Sequence, residues 1–369
     1  MKKLKSPKQE GLISRRQFLS MCFISLLSPV MRRVPSYSVK YAGTAAWLAP
    51  LAAVIPCALC CWMICWFLSK RNEHEGLGDM ILHSLGNGCG KVVLVVIGLW
   101  LIFFGGTVVR FGVDRLRTTI YPDIKPTGFS ILMFLALLPV AMGELRSLAR
   151  LSSVFRPIII LMLSLIFIFV LPDIRPENLL PISRLDAVPL LKSVPHNVNI
   201  ATSGLFFAFL MDRVEKREGS SFPALAGFGA GLFSCITLVI ITTISAFGAR
   251  LTEKFSNPFF AMVRNISILG TIERIEAVIA GLWVVVDFVM AASLFSIIVT
   301  ILFLVFPKIN RRLAGLISVT LPAAVCLAIP GNIFELEELG LGFIPVSGAV
   351  VLFVIIFGSG LIGKIRKKI

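Results

Sequence analysis

Charge is scarce in this chain. Asp, Glu, Lys and Arg make up 15% of its 369 residues while hydrophobic residues make up 57%, whereas about a quarter of a soluble domain is charged. With a mean hydropathy of +0.91, no room remains for a large soluble domain. Histidine is scarcer still: His74, His83 and His196 are the three, each in or near a linker, where a solvated or interfacial role suits them. Nothing pairs them with an acid or nucleophile as an enzyme would, and no metal or cofactor is expected. A phosphate-binding loop is also lacking. The stretch Gly86-Asn-Gly-Cys-Gly90-Lys91 is one residue short between its glycines, and Val92 stands where Ser or Thr should hold a metal ion; it reads as a turn. The eight cysteines form no secreted framework. Cys57, Cys60, Cys61 and Cys65 fall in one apolar stretch at spacings that place three or four on one helical face. No His in that stretch completes a zinc set, so they read as small, polarizable packing residues.

What the chain has is long apolar runs. A membrane span needs roughly 20 apolar residues, and such runs lie near 14–34, 44–69, 88–113, 127–143, 152–171, 196–211, 222–248, 275–306, 312–330 and 343–363. The predicted fold is therefore an all-α integral membrane protein of about ten transmembrane helices. The first and sixth runs are interrupted, at Ser28-Pro29 and at Thr202-Ser203-Gly204. In lipid an unpaired backbone group costs several kcal/mol, so broken helices are expected only where they line a protected cavity. A matched pair of interrupted spans points to a binding site near the midplane. A short amphipathic helix is expected in each of the linkers 70–87 and 249–272, ahead of the long third and eighth spans. The order broken, full, surface, long recurs, and an odd number of spans per half inverts the second. This gives a five-plus-five inverted repeat: repeat one 13–171, an outer connecting loop 172–195, and repeat two 196–363, with cytoplasmic tails at 1–12 and 364–369. Five prolines in the loop favour extended turns over helix.

The formal net charge of +16 follows topology, not nucleic acid. With both termini cytoplasmic, Lys and Arg concentrate at the inner ends of spans, as the positive-inside rule requires, and attract anionic lipid. The outer side still carries Arg32, Arg33, Arg115 and Arg117. Ser14-Arg-Arg-Gln-Phe-Leu19 matches a twin-arginine export signal, but Pro29 breaks the apolar run behind it and further spans follow. The two arginines read instead as an anchor for the first span.

Six segments occur in a recognisable order: Ile-Ser-Arg-Arg-Gln-Phe-Leu-Ser at 13–20, Ser-Leu-Leu-Ser-Pro at 25–29, Ala-Ala-Trp-Leu-Ala-Pro at 45–50, Thr-Thr-Ile-Tyr-Pro at 118–122, Leu-Pro-Asp-Ile-Arg-Pro-Glu-Asn-Leu-Leu-Pro at 171–181, and Glu-Arg-Ile-Glu-Ala at 273–277. Together the chain resembles the spore germination permease family, the permease-like B subunits of endospore germinant receptors, within the amino acid/polyamine/organocation transporter superfamily. The resemblance implies the five-plus-five fold, residence in the inner membrane of spores, association with A and C subunits, and binding of a small nutrient such as an amino acid. Amino-acid permeases of that superfamily often carry Gly-x-Gly at the first break. Here Leu27, Ser28 and Pro29 stand there, which removes the backbone nest for a carboxylate at span one and leaves one open at Gly204.

Asp287 is the carboxylate deepest in a span, eleven residues beyond Glu276, or about 16 Å of helix rise. It costs roughly 2.5–3.5 kcal/mol to insert, so it must face the bundle interior with a role or a partner. It binds a ligand ammonium, serves a coupling proton or cation, or has no ligand role, being protonated or paired with a basic residue such as Arg110 to hold helices together. Ser25, Ser28, Thr202 and Ser203 flank the breaks and either coordinate ligand or bond their own preceding carbonyls. Pro29 and Gly204 are the expected break points. Phe206, Phe207 and Phe209 either wall a pocket or serve as core. Glu273, Arg274 and Glu276 sit at the outer mouth of span eight as a gate or partner contact, together with Arg110, or simply as an acidic helix start.

Overall fold

The computed structural model describes residues 11–69, 75–119, 125–215, 222–265, 275–329 and 333–366. The chain is helical almost throughout, and why each helix starts where it does is visible from its ends. α1 (Arg15–Ala42) opens on a capping box: Ser14 Oγ accepts from the Gln17 amide at 3.3 Å, and Gln17 Oε1 accepts from the Ser14 amide at 3.0 Å. The twin-arginine-like segment is thus a helix start, its polar residues satisfying orphan amides. Gly43, at φ 55°, turns the chain into a 3-10 segment (Gly43–Leu48) leading to α2 (Ala49–Ser69). The short α3 (Leu77–Leu85) precedes α4 (Asn87–Thr119), which at 33 residues is about 50 Å long. α5 (Pro126–Met142) and α6 (Leu145–Val170) complete the first half.

The second half repeats that order. α7 (Ala187–Ser203) changes at Gly204 into a 3-10 helix (Gly204–Arg213). α8 (Phe222–Phe247), the short α9 (Ala249–Lys254) and α10 (Pro258–Arg264), and the long α11 (Ile275–Val305) follow. α12 (Arg311–Ala328) precedes a last segment of α13 (Ile333–Glu338), α14 (Ile344–Ala349) and α15 (Phe357–Ile365), joined by π-helical turns at Leu339–Phe343 and Val350–Ile356.

Among the described residues, seven helical stretches are long and apolar enough to cross a membrane: Val34–Ser69, Asn87–Thr118, Leu145–Asp173, Leu225–Phe247, Val278–Val305, Arg311–Ala328 and Ile344–Ile365. α5 is a shorter apolar helix. The expected spans missing from that set are the front of α1 and α7 with its 3-10 continuation. Those two helices pack on each other, and α1 also packs on α6 and α11, so they sit inside the bundle, where polar residues are affordable.

Three expectations change. α1 is unbroken at Ser28-Pro29 and continues to Ala42 with Pro29 and Pro35 inside it; proline's φ suits a helix, and its cost is the hydrogen bond and space at i−4. The interruption is therefore a set of freed carbonyls, not an unwound turn. The region 172–195 is extended only in part: 3-10 turns occupy Leu171–Asp173, Pro176–Leu179 and Arg184–Asp186, and α7 begins at Ala187, with Pro189 near its start, where proline is tolerated. This loop is docked, since Asn178 Nδ2 donates to the Ser245 carbonyl at 2.8 Å and Thr44 Oγ1 to the Pro181 carbonyl at 2.9 Å. Helix also begins at Ile333, in the gap between the spans expected at 312–330 and 343–363.

Candidate functional site

A cavity of about 70 Å³ lies where the two halves meet. Its wall draws Ser28, Pro29 and Arg32 from α1, His196, Asn199 and Ser203 from α7, Phe104 and Phe111 from α4, Met290 from α11, and Gly340 from the π-helical turn. Ser28 and Arg32, like Asn199 and Ser203, stand four residues apart, so each pair shares a helical face. Arg32 lies with its guanidinium carbon 4.0 Å from the centre of the Phe111 ring. His196 stacks on Tyr41 with ring centres 5.4 Å apart, and Tyr37 lies 5.5 Å away. His196 is therefore a residue of α7 in an aromatic setting and not a linker residue. His83 fits the solvated reading, exposed and 3.0 Å from Glu75; His74 lies outside the described residues.

Behind Ser28 is a buried ion pair. Asp287 and Arg115 are 3% and 1% exposed. Arg115 donates through Nη2 to Asp287 Oδ2 and through Nη1 to Oδ1, the latter at 3.2 Å. Ser28 Oγ donates to Oδ1 at 2.5 Å. The expected partner Arg110 is replaced by Arg115. Five residues of helix rotate the side chain by about 140°, and Gly106, one turn before Arg110, abuts Pro322 of α12. Gly112, one turn before Arg115, abuts Asp287: a Cβ there would sit 2.6 Å from Oδ2. Arg110 is nonetheless buried, at 6% exposed.

Of the residues expected at the ligand, Ser28, Pro29 and Ser203 line the cavity, and Asp287 stands one residue behind it. Ser25 faces Ser293, their hydroxyls 3.5 Å apart. Thr202 and Ser203 donate to the carbonyls of Asn199 and Ile200 at 3.2 and 2.6 Å. Gly204 is a contact point: a Cβ there would approach Leu26 Cδ1 to 2.9 Å. Phe206, Phe207 and Phe209 are buried core, Phe206 stacking on Trp100. Glu273 and Arg274 lie outside the described residues. Glu276 falls in the first turn of α11, its side chain outside them. Cys57 and Cys60 are buried while Cys61 and Cys65 are exposed, so the cysteines of α2 divide between two faces. Arg32, Tyr37, His196 and Asn199 went unrecognised in the sequence; the signal was there for Arg32 and Asn199, one helical turn from Ser28 and Ser203.

An all-α membrane bundle whose halves repeat one order and whose cavity lies between the first helix of each is a transporter-type fold. Solved structures bear this out. The nucleobase-cation-symport-1 family transporter Mhp1, closed with bromovinylhydantoin bound, aligns with a TM-score of 0.66 at 9% identity over 96% of this chain and 80% of its own. MhsT in complex with L-phenylalanine aligns at 0.62 and 15% identity over 93% and 89%. The chain itself belongs to the spore germination protein family, whose model matches residues 12–332. YfkT of Bacillus subtilis (strain 168), named for spore germination, is 22% identical over 296 residues, 78% of this chain and 80% of YfkT.

Proposed function

We propose that this chain is the permease-like subunit of a spore germinant receptor, binding a small nutrient in the cavity between α1 and α7 and signalling germination. The observation that carries the reading is the cavity, walled by both halves in a chain of the spore germination family. An amino acid is the favoured ligand. Arg32 is the formally charged residue on the described wall, suited to a carboxylate, while Asn199 and Tyr37 offer neutral polar groups. Because α1 stays helical through Pro29, its amides form no nest there, and a guanidinium takes over that task. Ligand contact with Ser28 would shift the balance between two arrangements of α1 against α4 and α11, by no more than the ligand's differential affinity for them. A and C subunits would receive that shift, anionic lipid would surround the basic inner ends, and both termini would be cytoplasmic. Asp287 would then serve ligand binding through Ser28 and not by direct contact.

Deletion in a spore-forming host, scored for germination against amino acids, sugars and nucleosides, tests this. Loss of response to one nutrient, restored by the wild-type copy but not by Ser203→Trp, is the expected result; an unchanged germination profile argues against it. Ion-driven uptake by the purified protein in vesicles would favour a coupled permease, the role of the Mhp1 family, and restoration by a copy that binds no nutrient would favour a scaffold.

A further inference from the structure

The carboxylate of Asp287 and the hydroxyl of Ser28 meet at the junction of α1 and α11, beside the cavity and away from bulk water. Two oxygen donors with a negative charge form the core of a site for a hard cation, and a carboxylate at this depth must take up a proton or meet a positive charge. We propose that Arg115 is a tethered counter-cation filling this site with the chain's own side chain, so that ligand binding draws on neither sodium nor a proton at Asp287. This goes beyond the receptor reading and holds whatever the ligand is.

Three observations support it. Both carboxylate oxygens accept from Arg115, in the fork geometry that a guanidinium offers and a point charge does not. Gly112 leaves space on α4 for the carboxylate to come this close. The guanidinium is held from other sides by the Trp283 carbonyl, 3.5 Å from Nη2, and by the Phe260 ring, 5.2 Å away. Against Asp287, α1 presents Ser28 and α4 presents Gly112 and Arg115, while α10 presents Phe260 to the Arg115 guanidinium. Among the described residues Arg115 is the charged group in contact with it. A coupled permease needs such a carboxylate to exchange its cation in each cycle, whereas a tethered cation stays.

Thermal unfolding of the full chain in detergent, read by tryptophan fluorescence, tests this without knowledge of the ligand. Wild type, Arg115→Met and Arg115→Met/Asp287→Asn are compared in sodium chloride and N-methyl-D-glucamine chloride of equal ionic strength, and across pH. The wild-type midpoint should be the same in both salts. Arg115→Met should gain about 2–4 °C or more from sodium or from acidification, relative to the double variant. A wild-type protein stabilised by sodium overturns the proposal, as does an Arg115→Met protein that matches the double variant in both titrations. Should Arg115→Met fold under no condition, recovery in the double variant supports the role, and loss of both overturns it.

Discussion

At the scale of single residues, the pair Asp287–Arg115 shows how far a sequence speaks. A lone carboxylate in Trp283-Val-Val-Val-Asp287 announces a buried charge because lipid tolerates none unpaired. Its partner was not legible. Arg110, Arg115 and Arg117 all lie in the last ten residues of α4, and which of them turns to α11 depends on helix rotation, visible only once Gly112 is seen against the carboxylate. That contact makes a quantitative prediction. Gly112→Ala forces the carboxylate from the guanidinium and should cost about 1–3 kcal/mol, lowering the midpoint of thermal unfolding. Gly281→Ala on α11, with nothing within 4 Å of the added methyl, should stay within about 0.5 kcal/mol. Equal effects of the two would refute the close-packed cradle.

At the scale of elements, proline and Thr202-Ser203-Gly204 drew attention to α1 and α7, and both helices line the cavity. The form of each interruption was not legible. Proline reads alike whether a helix unwinds or continues with freed carbonyls; here Pro29 leaves the Ser25 carbonyl without its usual donor while Ser28 turns away to Asp287. At Gly204 the α-helix does change, into 3-10 turns. The π-helical turn at Leu339–Phe343, which brings Gly340 to the cavity, has no sequence signature, though such turns recur at functional sites. Pro29→Ala should regain one backbone hydrogen bond, about 1 kcal/mol, and so raise the unfolding midpoint while weakening the germination response. A variant that loses stability would show that the proline relieves crowding against α7 or α11.

At the scale of the molecule, the recurring order of full, surface and long helices was readable because hydropathy and length alone define it. What the chain does at its ends was not. Ile13 bridges to Val214: its amide donates to the Arg213 carbonyl at 2.9 Å, and the Glu215 amide donates to the Ile13 carbonyl at 3.0 Å. Arg213 in turn donates to Thr300 Oγ1 of α11 at 2.6 Å. This clasp ties the start of α1 to the end of the α7 segment, the two helices that wall the cavity. Ile13→Pro removes the first of these donors, and amide hydrogen exchange at Glu215 should then rise several-fold; unchanged protection would mean the clasp is not what closes that end. Two of the arginines assigned to the outer side are also accounted for. Arg32 borders the cavity and Arg115 is spent on Asp287, so neither acts as a surface charge.

The distance along the chain between Arg115 and Asp287, 172 residues, bears on how the protein is made. A ribosome adds about 5–20 residues per second, so α4 emerges roughly 10–30 s before the helix that carries its counter-charge. During that interval its guanidinium, four residues from the end of α4, lacks its counter-charge, at a cost below the roughly 2.5–3.5 kcal/mol of a span centre. The third span is therefore an unfinished helix until the eighth arrives, and it must wait in the insertion machinery, against a chaperone, or beside water. The same pair that fixes the charge of the finished site sets the order of its assembly.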